Sequence, residues 1–200
     1  MTKGQKRREL LAATLVRHAP ADFREGESLA RILRLLAAPA DPFSRDNPEG
    51  HVTGSAVVAR PDGSAYLLIL HRKLGRWLQP GGHTEESDDS VLATALREAR
   101  EETGLSSFDV PPEDAILDVD VHPIPARGRD PAHFHFDVRY LLVTSEVHDR
   151  SAAEDPARPM RWTSFEDALA SGVDESLARA LDKARAQLEG RPRIRSRGAP

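Results

Sequence analysis

The chain has 200 residues, with 32 acidic against 28 basic side chains, a net charge of −4 and no cysteine. That length suits one domain with extensions around a real core, and the charge gives no basic field of the kind nucleic acid attracts, so nucleic acid is not an expected partner. Disulfides, thiolate metal sites and a cysteine nucleophile are excluded; with no long apolar run and no signal-peptide pattern after MTKGQKRREL, the expected location is the cytoplasm, off any membrane.

Residues 1–38 read as helical, with Leu10, Leu11, Leu15 and Val16 in a first segment and Leu29, Ile32, Leu35 and Leu36 in a second, parted by Pro20 and residues 21–26. This extension is expected to pack on the domain; a homodimer interface through it or through the sheet, or a lid over the site, is the alternative. Pro39, Pro42, Pro48 and Gly50 mark a linker, so residues 1–50 form the extension, 51–190 the main domain and 191–200 a tail. From His51 the pattern turns to strands: residues 52–60, a Pro61-Asp62-Gly63 turn, then residues 65–71 as the second arm of a hairpin. In the turn that follows, Arg72, Lys73 and Arg76 are candidates to touch a substrate phosphate, against the plainer reading of solvated basic residues.

Residues 81–105, GGHTEESDDSVLATALREAREETGL, concentrate the ionisable chemistry. They read as a glycine loop, an acidic turn and a helix of about four turns that starts near Asp88 or Asp89, either of which can cap it, and stops at Gly104. At roughly 100° per residue Val91, Leu92, Ala95, Leu96 and Ala99 form one apolar arc, with Arg97, Glu98 and Glu101 on its flank. Glu102 projects inside the arc, where a lone carboxylate is costly to bury, so a positive partner is expected. Glu98 meets Glu101 at i+3 and Glu102 at i+4, and one guanidinium, Arg97, cannot balance all of them. A hard divalent cation can: Mg²⁺ takes a few carboxylates and keeps places for water and phosphate oxygens. The alternative is a solvated, salt-bridged helix face.

Gly82 and the run Arg97-Glu98-Ala99-Arg100-Glu101-Glu102-Thr103-Gly104-Leu105 resemble the Nudix box, a glycine and a spaced glutamate followed by R-E-U-x-E-E-x-G-U with U apolar. The second half matches at every fixed position. In the first half fourteen residues lie between Gly82 and Arg97, one more than the pattern has, so its glutamate falls on Asp88 or Asp89 depending on the end counted from. The resemblance runs from about His51 to Leu188 and implies an α/β fold, a Nudix-like α/β/α sandwich with a mixed sheet, the box helix on one side and a closing helix on the other. It implies Glu101 and Glu102 as metal ligands, Glu98 as ligand or general base, Arg97 as the group orienting Glu98, and the Gly81 carbonyl as a further ligand. The activity implied is that of a Mg²⁺-dependent pyrophosphohydrolase, with Mn²⁺ able to substitute, cleaving a nucleoside diphosphate linked to another moiety. A non-catalytic nucleotide-binding or regulatory module is the alternative. The absence of cysteine argues against the isopentenyl-diphosphate isomerases, which share the Nudix fold but use a catalytic cysteine. Some members carry the base on a later loop, where Glu146, Glu154 or Asp155 would serve.

Beyond the box, residues 115–124 read as a strand and residues 132–145 as a long one, in which His133, His135, Asp137 and Arg139 alternate with Phe134, Phe136, Val138 and Tyr140. The polar face is read first as lining a substrate pocket, then as a solvated outer face, then as a metal site of the kind imidazole prefers; His83 and His122 are candidates to join it. Trp77, Phe134 and Phe136 are candidates to stack a base, although aromatic residues in strands are more often core. Residues 160–163 read as the last strand, with Thr163 or Ser164 capping a short helix, and residues 174–188 as a closing helix with Leu177, Ala180, Leu181 and Ala184 inward. The RPRIRSRGAP tail is expected to be flexible, with phosphate binding as the alternative.

Overall fold

The computed structural model describes residues 1–72, 74–111, 115–128, 131–146 and 159–190. Lys73, the alternative bases Glu154 and Asp155, and the tail lie outside the described residues. In chain order the elements are α1 (Lys3–Leu15), α2 (Phe23–Ala37), β1 (Gly50–Ala59), β2 (Tyr66–His71), β3 (Arg76–Leu78), β4 (Gly81–His83), α3 (Val91–Thr103), β5 (Asp118–Ile124), β6 (His133–Val143), β7 (Met160–Thr163), α4 (Phe165–Ala170) and α5 (Glu175–Glu189). No described helix is long and apolar enough to cross a membrane.

The sheet runs β3-β2-β1-β6-β5, with β4 paired to β1 and β7 to β2. Among the described residues only β1 and β6 pair in parallel, in continuous register from Gly50 opposite Phe134 to Ala59 opposite Val143. Both are covered on two sides, which is why every position of β1 is buried and why β6 is buried from Phe136 onward. Side-chain alternation then assigns the layers. Val52, Ala56, Val58, Phe136, Val138, Tyr140 and Leu142 meet Val91, Ala95 and Ala99 of α3 together with Leu11, Leu15, Ile32, Leu35 and Leu36 of the first two helices. Val57, Ala59, Leu141 and Val143 meet Ala168 of α4 and Leu177, Ala180, Leu181, Ala184 and Leu188 of α5. The box helix and the closing helix thus lie on opposite faces of a mixed sheet, as the sandwich requires. The N-terminal helices share the box-helix side, although Leu10 and Val16 point outward.

A buried charge network ties the layers together. Glu25 of α2, fully buried, accepts from the Ala21 and Val119 N–H groups, from Lys183 Nζ at 2.6 Å and pairs with His18. Arg179 of α5 donates to both oxygens of Asp118, which also takes Arg139.

Candidate active site

The box helix begins one or two residues later than the spacing suggested. Ser90, not Asp88 or Asp89, is its N-cap and accepts from the Ala93 N–H; Gly104, at φ 71, closes it in the left-handed conformation. The reason is the part Asp88 plays instead. Its side chain is 5% exposed and accepts from the Glu85 N–H, the Thr94 hydroxyl, and Nε and Nη2 of Arg97, both at 3.2 Å. Asp89 is 90% exposed and meets only Lys3 among the described residues. Of the two acids between which the spacing left the choice open, Asp88 is the one turned inward against Arg97.

With its fork held by Asp88, Arg97 reaches three further groups. It donates to Glu98 Oε1 at 2.9 Å, to Glu101 Oε2 at 3.2 Å and to the His83 carbonyl at 2.8 Å, and it stands 3.8 Å from Glu85. Glu102 finds the Gly81 N–H, which donates to its Oε2 at 3.0 Å. A backbone donor on β4 thus meets the carboxylate for which a positive partner was expected. β4 comes very close to the helix: a Cβ on Gly82 would lie 2.4 Å from Glu98 Oε1, so only glycine lets the strand and this carboxylate approach as they do.

The electrostatics follow. Burial lifts the Glu98 carboxyl above its ordinary value, and repulsion from Glu101 and Glu85 adds to it, while Arg97 opposes both. Burial also works against the Asp88 anion, but its bonds from Arg97, the Glu85 N–H and Thr94 prevail and hold it below its ordinary value. One guanidinium therefore faces Glu85, Asp88, Glu98 and Glu101 at once. Glu98, Glu101, Glu102 and the Gly81 carbonyl are all hard oxygen donors, the kind of ligand that a divalent cation of the Mg²⁺ or Mn²⁺ type takes.

The other predicted residues divide. Arg72 and Arg76 are exposed at the β2–β3 turn. Asp137 and Arg139 do not line an open pocket: they are 2% and 3% exposed, Arg139 held between Asp118 and Asp137, and Asp137 accepting from Thr53, Ser55 and Gln79 as well. They are structural because β5 and α5 cover that end of the sheet. His83, His122, His133 and His135 do come together, joined by His51, which the sequence reading did not single out. Burial, then the neighbouring imidazoles, push His135 down to about 3; burial with Arg45 and neighbouring imidazoles pushes His51 and His83 to about 4. Glu146 binds the Ser106 and Ser107 N–H groups and the Ser106 hydroxyl, tying a loop beyond the box helix. Trp77 is stacked by Arg161, and Phe134 and Phe136 by Arg31. Arg7 was also missed: from α1 it donates to the Glu85 and Asp88 carbonyls and so clamps the box loop.

Comparison with known proteins gives the family. A protein of Lactococcus lactis subsp. cremoris named "Probable DHNTP pyrophosphohydrolase" is 33% identical over 123 residues, covering 60% of this chain and 70% of that one. The uncharacterized Nudix hydrolase NudL of Escherichia fergusonii is 36% identical over 78 residues, 34% of this chain and 41% of that one, so the match spans less than half of that relative. Among solved structures, the C. elegans Ap4A hydrolase shares the fold, with a TM-score of 0.50 at 20% identity over 68% of this chain and 97% of that one. The family model described as the NUDIX domain matches residues 50–184, from β1 through the box helix and into α5. With the box residues arranged as above, this chain belongs to the Nudix hydrolase family.

Proposed function

We propose that the protein is a cytoplasmic, Mg²⁺-dependent pyrophosphohydrolase, with Mn²⁺ able to substitute, that cleaves a nucleoside diphosphate linked to another moiety. The observation that carries this is the convergence of Glu98, Glu101 and Glu102 on one guanidinium and one glycine strand. Glu98, Glu101, Glu102 and the Gly81 carbonyl would hold the metal. When bound, the cation supplies charge neutralisation at the diphosphate. Arg97 fixes the orientation of Glu98 through the bond from Nη1, while its fork on Asp88 keeps the guanidinium itself from turning. Glu98 takes the proton of the water that attacks phosphorus; a carboxyl whose proton affinity is raised by burial suits that transfer. The oxygen of the departing phosphate carries away the electron pair of the broken P–O bond. The name of the Lactococcus relative, a probable DHNTP pyrophosphohydrolase, supports the reaction class and adds DHNTP to the substrates worth trying.

The test is phosphate or pyrophosphate release from nucleotide sugars, ADP-ribose, dinucleoside polyphosphates, coenzymes and triphosphates with Mg²⁺ or Mn²⁺. Wild type is compared with Glu98→Gln and Glu101→Gln. Turnover by wild type, reduced about 10²–10⁴-fold in Glu98→Gln, is the expected result. Equal turnover in all three proteins would remove the box carboxylates from the mechanism. Nucleotide binding without turnover by any of them would make the protein a regulatory module.

A further inference from the structure

Along β4, Gly82 faces Glu98, while Gly81 and His83 face the other way, toward Ser55 and His51. On that second side five of the eight histidines meet, outside the carboxylate site. The strand pairing creates the meeting. His51 of β1 stands opposite His135 of β6 in the parallel ladder, and His122 of β5 stands opposite the same His135 in the antiparallel one. His83 lies 4.8 Å from His51 and 5.1 Å from His135 by ring centroid, and His133 lies 5.1 Å and 5.4 Å from the same two rings.

Ligand geometry is close to met. Ring nitrogens of His51, His133 and His135 all lie within 4.8 Å of one another. Nitrogens around a tetrahedral Zn²⁺ stand about 3.4 Å apart, a distance that small side-chain rotations reach. Two independent details point to a ligand. His51 is 2% exposed, and neither of its ring nitrogens has a hydrogen-bond partner among the described residues. His133 Nδ1 lies 2.9 Å from the Pro131 carbonyl, which only accepts, so the proton is on Nδ1 and Nε2 is left with its lone pair free to ligate.

We propose that His51, His133 and His135, with His83 beside them, form a binding site for a borderline divalent transition ion of the Zn²⁺ class. Imidazoles without a carboxylate among them select such ions against Mg²⁺, which keeps the site chemically separate from the box. Asp137, which the sequence places on the same face, is not a ligand, since Thr53, Ser55, Gln79 and Arg139 occupy its oxygens. A cavity of about 330 Å³, walled by Pro48, Ile124 and Pro125, borders His133. An ion held partly by His83 also steadies β4, whose His83 carbonyl takes Arg97 and whose Gly81 N–H binds Glu102.

The experiment uses the full chain, stripped with a chelator, incubated with Zn²⁺ and gel-filtered. Elemental analysis is expected to find about one Zn²⁺ per chain, retained against excess Mg²⁺. His133→Ala and His135→Ala, each confirmed folded by circular dichroism, are expected to weaken retention at least about 100-fold, whereas Glu101→Gln leaves it unchanged. Co²⁺ gives a second reading, through visible bands of a nitrogen-ligated site that are lost in His135→Ala. Zn²⁺ that is kept by both histidine variants but released by Glu101→Gln sits at the box and overturns the proposal. So does a wild-type protein that retains neither Zn²⁺ nor Co²⁺.

Discussion

Replacing Asp88 with Asn tests the reading of the altered box most directly, because Asp89 beside it offers the matched control. Asn keeps the shape of Asp88 but removes the charge facing Arg97 and turns one acceptor into an NH₂ group that points at donors. A charge-assisted hydrogen bond contributes about 1.5–3 kcal/mol, and the side chain is nearly excluded from water, so a loss of about 3 kcal/mol is expected. For a chain of this size that is a fall of about 6–12 °C in Tm. Asp89→Asn breaks only the exposed pair with Lys3 and is expected to change stability by less than about 0.5 kcal/mol. The pH dependence has a definite sign. The Asp88 carboxyl sits below its ordinary value when folded, so its stabilisation is full above the unfolded pKa of about 3.9 and is lost as pH falls below it. The gap between wild type and Asp88→Asn should therefore be constant from neutral pH to about 5 and narrow at lower pH. Thermal melts by circular dichroism across that range measure it. An Asp88→Asn protein that melts with wild type, beside an Asp89→Asn protein that does not, would mean that the spacing is to be counted from the other end and that Arg97 is held by something else.

Two further substitutions separate geometry from stability. Gly82→Ala places its Cβ against the tip of the Glu98 side chain, which can swing away, so turnover should fall at least about 10-fold with a small change in Tm. Gly81→Ala meets the Ser55 backbone, with Cα at 2.9 Å, and cannot be relieved by a rotamer, so stability should fall by about 1–3 kcal/mol. A Gly82→Ala enzyme with full kcat would show that Glu98 is not used in the position seen. Arg7→Ala removes the clamp on the Glu85 and Asp88 carbonyls; about 2 kcal/mol of stability and a weaker Mg²⁺ activation of turnover are expected, and unchanged Mg²⁺ titration would detach the first helix from the site.

Where local pattern and structure share a period, the sequence was easy to read. The box helix, the alternation in β6 and the inward Leu177, Ala180, Leu181 and Ala184 of α5 all repeat at the spacing their element imposes. Caps were less legible, because Asp88, Asp89 and Ser90 are all good N-caps and only the tertiary pull of Arg97 decides among them. Long-range pairing was not legible. His51 joins the other histidines because β1 lies parallel to a strand more than eighty residues away, and no spacing along the chain encodes that register. Arg139 and Asp137 illustrate the converse: alternation put them on a polar face, but the arrival of Arg179 and Ser176 from α5 turned that end of the face into an interior.

The same network decides how the N-terminal extension should be tested. Deleting residues 1–38 would uncover the surface now covered by Leu11, Leu15, Ile32, Leu35 and Leu36, each contributing about 1.5–3 kcal/mol, a sum comparable to the whole stability of a domain. A truncated chain that lost activity would then report unfolding and say nothing about a lid or a dimer. Glu25→Gln is the sharper perturbation. It leaves the helices in place and removes one charge from a buried set in which Glu25 holds Lys183 and the Val119 N–H, joining α2 to α5 and β5. Breaking such a set by one partner costs about 3–5 kcal/mol, and the lower end applies because Lys183 and Arg179 retain Asp118. Burial disfavours the Glu25 anion, but His18, the Ala21 N–H and Lys183 outweigh it and hold the carboxyl low; the stability it contributes is therefore present above its ordinary pKa and drains away in acid. If the extension is part of the fold, Glu25→Gln lowers Tm by about 6–12 °C at neutral pH and the difference shrinks below about pH 4. A variant that melts with wild type would make the first two helices a loosely attached appendage, and only then would their deletion be a fair test of an interaction role.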